Sequence, residues 1–239
     1  MVPRALEPAG VALVDKPAGP SSFALVASLR RRTKARTGHA GTLDPVATGL
    51  LLLLSGWATK LAPCFVGLDK RYVTSVDLTA LTSTGDPEGE ILARHDPPDE
   101  EELERRLAGL RGVVELPIPA ASAVKIGGER AYRLARRGVE VDMPIRRSRV
   151  DALDVIAYSG AEVTLDLRVG SGTYVRSIAA ALGGHCRTLR RLEIGPFSVE
   201  EATSVDDAEL LPAGKALARL PAELVARGPK DALARAGLA

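Results

Sequence analysis

Residues 38–50 read Gly38-His39-Ala40-Gly41-Thr42-Leu43-Asp44-Pro45-Val46-Ala47-Thr48-Gly49-Leu50, and an apolar run over residues 50–54 follows at once. The stretch holds one carboxylate, Asp44, and one imidazole, His39. Glycines at 38, 41 and 49 allow close backbone approach, and Pro45 fixes the turn after the acid. A lone ionisable group in a rigid loop against an apolar wall has the makings of a nucleophile or a general acid/base. The competing reading of a loop Asp before Pro is a turn residue or helix cap. The surrounding glycines and the apolar run weigh against it.

Upstream, residues 10–15 read as a short apolar strand, broken by Lys16-Pro17-Ala18-Gly19-Pro20. Ser21 or Ser22 then caps a helix running to about Arg36, with Leu25, Val26 and Leu29 on its inner face. Its last turns are basic, which suits the negative end of the helix dipole. Downstream, residues 72–79 alternate as a strand, and residues 82–89 form a polar, turn-rich loop. Asp99 caps an amphipathic helix with Leu103, Leu107 and Leu110 on one stripe. Residues 129–137 read as a helix stopping at Gly138. Residues 150–156 and 162–169 read as strands. Residues 170–173 make a tight turn into a helix over about 174–182. The tail from Leu211 is rich in Ala and Leu, carries Pro212, Pro221 and Pro229, and reads as one or two short helices or a frayed end. Strands and helices mix without regular alternation, which argues an α+β fold over a doubly wound sheet.

The 239 residues suffice for one large domain or two small ones, and 46% are hydrophobic, so a sizeable core is expected. Two cysteines, Cys64 and Cys186, and three histidines show no metal-ligand spacing, and free thiols in a reducing cytoplasm are the plain reading. The first ten residues lack the apolar centre of a signal peptide, and the longest apolar run is too short to span a bilayer. A soluble, cytoplasmic protein is expected. The net charge is only +2, yet residues 1–60 and 125–150 each carry an excess of five positive charges. A near-neutral total therefore hides basic stretches that suit a polyanion such as nucleic acid, or are simply solvated helix faces.

Beyond Asp44, three constellations offer chemistry. Gly172-Thr173-Tyr174-Val175-Arg176-Ser177 leaves a strand, turns on glycine and opens a helix. Arg176 there is suited to pairing with a carboxylate and holding it ionised, or is an ordinary surface arginine. Tyr72, in Asp69-Lys70-Arg71-Tyr72, opens a strand as a half-buried packing residue or as a stacking platform for a base. Thr188-Leu189-Arg190-Arg191-Leu192-Glu193-Ile194-Gly195 offers arginines to phosphates. Two patterns are missing. No Gly-x-x-x-x-Gly-Lys-Ser/Thr exists, so the glycines around Asp44 are not a P-loop. No second carboxylate lies inside the Asp44 stretch, so the paired acids of a glycosidase are not evident.

At these residues the sequence resembles the TruB family, the tRNA pseudouridine-55 synthases. Asp15-Lys16-Pro17-Ala18-Gly19-Pro20-Ser21-Ser22 is similar to the family's N-terminal motif, and residues 38–50 to its nucleophile motif. Lys70-Arg71-Tyr72 and residues 172–176 resemble the next two. Residues 125–138 are similar to a further segment. The matches fall in family order over about residues 9–200.

The resemblance implies a pseudouridine-synthase-like α+β catalytic domain over residues 1–200, with a mixed, largely antiparallel central sheet, flanking helices and an inserted subregion at about 80–150. A tail over 201–239 would follow, with the family's C-terminal PUA domain absent or truncated. The implied activity is isomerisation of uridine 55 in the TΨC loop of tRNA by base flipping. Asp44 matches the catalytic carboxylate, Arg176 the arginine that pairs with it, and Tyr72 the tyrosine stacked on the target base. A cleft uniting the three is expected. His39, Tyr174 and Leu189 match residues that contact the RNA or line the uracil pocket. The reaction is redox-neutral and implies neither metal nor nucleotide cofactor. The partner is tRNA, with a monomer expected and no membrane. Carboxylate attack at C1′ and deprotonation of the sugar both remain open. The alternative is a non-catalytic tRNA-binding or tRNA-folding module on the same fold. The chain departs from the family at Ala181, where an acid is usual, and at residues 183–188, a shorter link than usual.

Overall fold

A computed structural model describes residues 9–122, 124–137, 139 and 141–238. In chain order the elements are β1 (Gly10–Lys16), α1 (Ser22–Thr33), β2 (Thr37–His39), β3 (Thr48–Ser55), α2 (Ala62–Val66), β4 (Lys70–Asp77), β5 (Ala80–Thr82) and β6 (Ile91–Arg94). Then come α3 (Glu100–Gly109), β7 (Gly112–Pro117), β8 (Lys125–Ile126), β9 (Glu129–Arg130), α4 (Ala131–Arg136), β10 (Ile145–Tyr158), β11 (Glu162–Val169) and α5 (Val175–Ala181). The last are β12 (His185–Ile194), β13 (Phe197–Ser198), α6 (Ala213–Leu217), α7 (Ala222–Val225) and α8 (Lys230–Arg235). The chain forms two compact units, one of residues up to Arg71 with Arg190 onward, the other of Tyr72–Leu189. The fold is α+β with a mixed, largely antiparallel sheet, in which the end of β12 runs parallel to β3.

The first unit is organised by β3. It pairs antiparallel with β1 from Gly10↔Ser55 to Lys16↔Gly49, and with β2 over residues 37–39. Arg190 and Arg191 of β12 lie parallel to Thr48 and Gly49. The apolar run is continuous because both faces of β3 are covered. Leu51 and Leu53 pack with Leu25, Val26 and Leu29 of α1. Leu50, Leu52 and Leu54 pack with Phe65, Phe197, Leu217 and Leu224. Each fully buried leucine contributes about 1.5–3 kcal/mol. The tail is therefore three short helices whose apolar residues join this core, rather than one or two.

The capping expectation for α1 holds: the Ser21 hydroxyl accepts from the Ala24 amide at 3.2 Å. The helix ends earlier than Arg36, because Lys34 turns into the left-handed region at φ 55°.

In the second unit the strand order is β12-β4-β11-β10-β7. β10 is far longer than residues 150–156, since it also pairs with β7 from Ile145↔Pro117 to Val150↔Gly112. Strand β7 was not legible as a strand in the sequence. Asp99 caps α3, its carboxylate accepting from the Glu102 amide at 2.8 Å, and Leu103 and Leu107 are buried. Residues 129–130 are strand, so α4 begins at Ala131. The stop expected at Gly138 lies outside the described residues. The short link after α5 turns on Gly183 at φ 87°. A Cβ at Gly184 would fall 2.2 Å from the Asp77 carbonyl oxygen, so only glycine fits there.

Candidate active site

Asp44 and His39 both belong to the first unit, in and before the loop joining β2 to β3. Two buried cations fix this loop through its backbone. Lys16, with none of its surface exposed, donates from Nζ to the carbonyls of Pro17 (2.9 Å), Pro45 (2.9 Å) and Ala47 (2.6 Å). Arg191, 1% exposed, donates from Nε to the Leu50 carbonyl at 2.7 Å. Its two Nη atoms reach the carbonyls of Thr42 and Gly41, each at 3.3 Å. Ser22 brackets Leu43, donating to its carbonyl and accepting from its amide, both at 2.8 Å. Glycine is required at position 49: φ is 101°, and a Cβ would meet the Arg191 carbonyl oxygen at 2.2 Å.

The electrostatics follow from this burial. Desolvation pulls the Lys16 ammonium down to about 8, with the Asp44 carboxylate opposing the shift and Arg191 adding to it. Burial, then Arg191, lowers the pKa of His39 from its ordinary value, so its imidazole is neutral at pH 7. Its Nδ1 is buried with no hydrogen-bond partner among the described residues.

Tyr72, Tyr174, Arg176 and Leu189 belong to the second unit. Tyr72 is buried on β4 and Leu189 is half-buried on β12, strands adjacent in the sheet order. The Thr188 hydroxyl accepts from the Ser75 amide of β4 at 3.1 Å. Tyr174 is the N-cap residue of α5. Arg176, two residues on, is not a surface arginine, being only 4% exposed. It donates to the carbonyls of Thr84 and Ala121, the latter at 2.9 Å, and lies 3.6 Å from Asp86 Oδ2. Asp86 is itself buried, its Oδ1 accepting from the Thr84 hydroxyl at 2.5 Å and from the Glu88 amide at 3.1 Å.

The sequence reading missed three of these groups. Asp86 lay in what read as a plain polar loop. Lys16 read only as the start of a strand-breaking run. Of the two arginines offered to phosphates, Arg191 is interior, and Arg190 grips Asp15 with both Nη atoms, at 3.0 and 2.8 Å.

Among the described residues no cluster of three or more His, Cys, Asp or Glu is placed to hold a metal, and no helix is long and apolar enough to cross a membrane.

Comparison with known proteins bears on this arrangement. Residues 30–175 match the TruB family pseudouridylate synthase (N terminal domain). The chain is 42% identical to tRNA pseudouridine synthase B of Ruegeria sp. (strain TM1040), covering 84% of this chain and 70% of that protein. It is also 42% identical to tRNA pseudouridine synthase B of Thermobifida fusca (strain YX), covering 83% and 73%. Among solved structures, a chain of a Cbf5-Nop10-Gar1 complex superposes with a TM-score of 0.62 at 26% identity, over 82% of this chain. This chain spans about half the length of that solved chain, 54%. The chain belongs to the TruB family of pseudouridylate synthases.

Proposed function

We propose that this chain converts uridine 55 in the TΨC loop of tRNA into pseudouridine, with Asp44 as the catalytic carboxylate. The N1–C1′ bond breaks, the uracil turns and a C5–C1′ bond forms. The proton lost from C5 is balanced by the one gained at N1. The observation that carries this reading is the half-buried Asp44 loop, whose carbonyls are held by the buried cations Lys16 and Arg191. Such preorganisation fits a reacting carboxylate better than a turn residue. Asp44 attacks C1′ or removes a sugar proton.

The remaining roles follow the family motif. Tyr72 stacks on the flipped base and helps remove the C5 proton. Arg176 is the cation opposite the catalytic carboxylate. His39, neutral and half-buried, fills the space that the base vacates. Tyr174 and Leu189 line the uracil pocket. Base flipping is required because the target is stacked within a folded loop. On this reading the enzyme acts on tRNA in the cytoplasm, as a monomer, without metal or nucleotide, and residues 1–200 form its catalytic domain. The similarity of the chain to two proteins named tRNA pseudouridine synthase B supports the substrate class.

The test is an unmodified tRNA transcript incubated with the protein, with pseudouridine mapped by carbodiimide-dependent primer-extension stops. A stop reporting uridine 55, absent with Asp44→Asn, is expected. Retained tRNA binding with no stop anywhere would instead establish a non-catalytic binding module.

A further inference from the structure

The exposed face of α1 has no structural work to do, and its chemistry is one-sided. Phe23 is 67% exposed. It follows Ser22, the residue that brackets Leu43 immediately before Asp44. From Phe23 the helical spacing leads through Ala27 to Arg30 and Arg31, and then to Lys34, along one stripe roughly 16 Å long at 1.5 Å per residue. Arg30, Arg31, Lys34 and the following Arg36 are exposed, and none meets a carboxylate among the described residues. Their neighbour Arg32 differs: it donates to the carbonyls of Asp206 and Ala208 and so belongs to the fold. The acidic segment that carries Asp206 bonds to α1 at Ser28 and Arg32 and packs Ala208 into the core beside the inner face of the helix.

A second observation falls on the same stripe. Lys34 ends the helix at φ 55°, ψ 17°, and is the one non-glycine residue with a positive φ among the described residues. Glycine or asparagine relieves that strain at a helix end, and lysine does not. Its side chain makes no hydrogen bond or ion pair among the described residues. Strain retained without an internal partner points outward.

We infer that this face of α1 is an RNA contact surface, on which Arg30, Arg31, Lys34 and Arg36 bind the substrate's phosphates and Phe23 stacks on an unpaired base beside the Asp44 loop. The inference rests on the RNA-modifying reading above. Exposed guanidinium and ammonium groups along a helix suit a phosphodiester backbone. An exposed aromatic ring next to them suits a base face. The surface would add grip alongside the reaction loop itself.

The experiment measures tRNA-transcript affinity against salt for the full chain. Variants are Phe23→Ala, Lys34→Gly, the triple Arg30→Ala/Arg31→Ala/Lys34→Gly, and Lys215→Ala as a control on another exposed surface. The triple variant is expected to flatten the dependence of log affinity on log salt by roughly two units, near 0.7–0.9 per lost phosphate contact. Lys34→Gly should melt no lower than the parent chain, since it relieves strain, while binding more weakly. Phe23→Ala should weaken binding without changing the slope. An unchanged slope in the triple variant, or an equal change with Lys215→Ala, overturns the inference. Pseudouridine formation is assayed in the same samples. A parent chain that binds tRNA through this face but makes no pseudouridine overturns only the catalytic reading. A parent chain that modifies tRNA while the triple variant keeps the full slope overturns only the α1 surface. No tRNA binding by the parent chain overturns both.

Discussion

The Nζ of Lys16 lies 2.9 Å from the carbonyl oxygen of Pro45, so a fully buried ammonium holds the residue that follows the candidate catalytic acid. The same nitrogen takes the carbonyls of Pro17 and Ala47. Lys16→Met would match the volume and remove all the donors, leaving the buried Ala47 carbonyl without this donor, while the Pro45 carbonyl keeps the Gly19 amide at 2.9 Å and Pro17 is exposed. The expected loss is about 1–3 kcal/mol of stability, the usual cost of one orphaned buried group. Urea unfolding measures it, and turnover should fall further than the stability loss accounts for.

The two interior lysines also set an alkaline trend. Burial brings both Lys16 and Lys70 from the ordinary lysine value of 10.5 to about 8. Between those values the unfolded chain binds more protons than the folded one, so stability rises with pH through that window. Below pH 8 both states are protonated and the contribution is flat. Unfolding free energies at pH 8, 9 and 10 should show the rise, and Lys16→Met and Lys70→Met should each remove part of it.

His39 gives an acid-side counterpart. Its depressed pKa means that the unfolded chain takes up a proton near pH 6.5 while the folded chain does not. Stability therefore falls as pH drops below about 6.5. His39→Gln should lack this decline between pH 7 and pH 5, and an identical decline in both proteins would count against a buried neutral imidazole.

Arg176 is held by geometry as well as by charge, donating to two carbonyls beside the Asp86 carboxylate. A lysine cannot serve all three sites, because its single ammonium lacks the planar fork. Arg176→Lys should lose at least tenfold in single-turnover rate while the chain stays folded. Asp86→Ala should cost about 3–5 kcal/mol, the usual penalty for stripping one partner from a buried pair. A double-mutant cycle between Asp44 and Arg176 measures whether the two act as one unit.

Two glycines separate steric exclusion from backbone strain. Gly19 and Gly49 have nearly the same φ, 103° and 101°, but a Cβ at Gly19 meets nothing within 4 Å while one at Gly49 strikes the Arg191 backbone. Gly19→Ala should cost about 1–2 kcal/mol, the strain alone. Gly49→Ala should cost more than about 4 kcal/mol or prevent folding, because the parallel contact of β3 and β12 must open. Thermal melts of the pair decide it.

The sequence was legible where local chemistry decides structure. Ser21 and Asp99 cap helices as their positions imply, and Leu25, Val26 and Leu29 face inward as their spacing requires. It was less legible where distant pairing decides. The residues of β7 become strand because β10 lies beside them, and β10 runs long for the same reason. At the candidate site, His39 and Asp44 stood out because they share one punctuated loop. Lys16, Arg191 and Asp86 did not, because their partners are backbone carbonyls, hydroxyls and amides that no spacing rule encodes.

The first unit is assembled from both ends of the chain: Val11 bridges to Leu211, and the core beside β3 contains Phe197, Leu217 and Leu224. The second unit is one uninterrupted stretch, Tyr72–Leu189. During synthesis the second unit is therefore complete while the first still lacks its last strands and helices. The Asp44 loop cannot be locked until Arg191 has left the ribosome. Activity then arrives late in the life of each new chain, through the slow closure of its longest-range contacts.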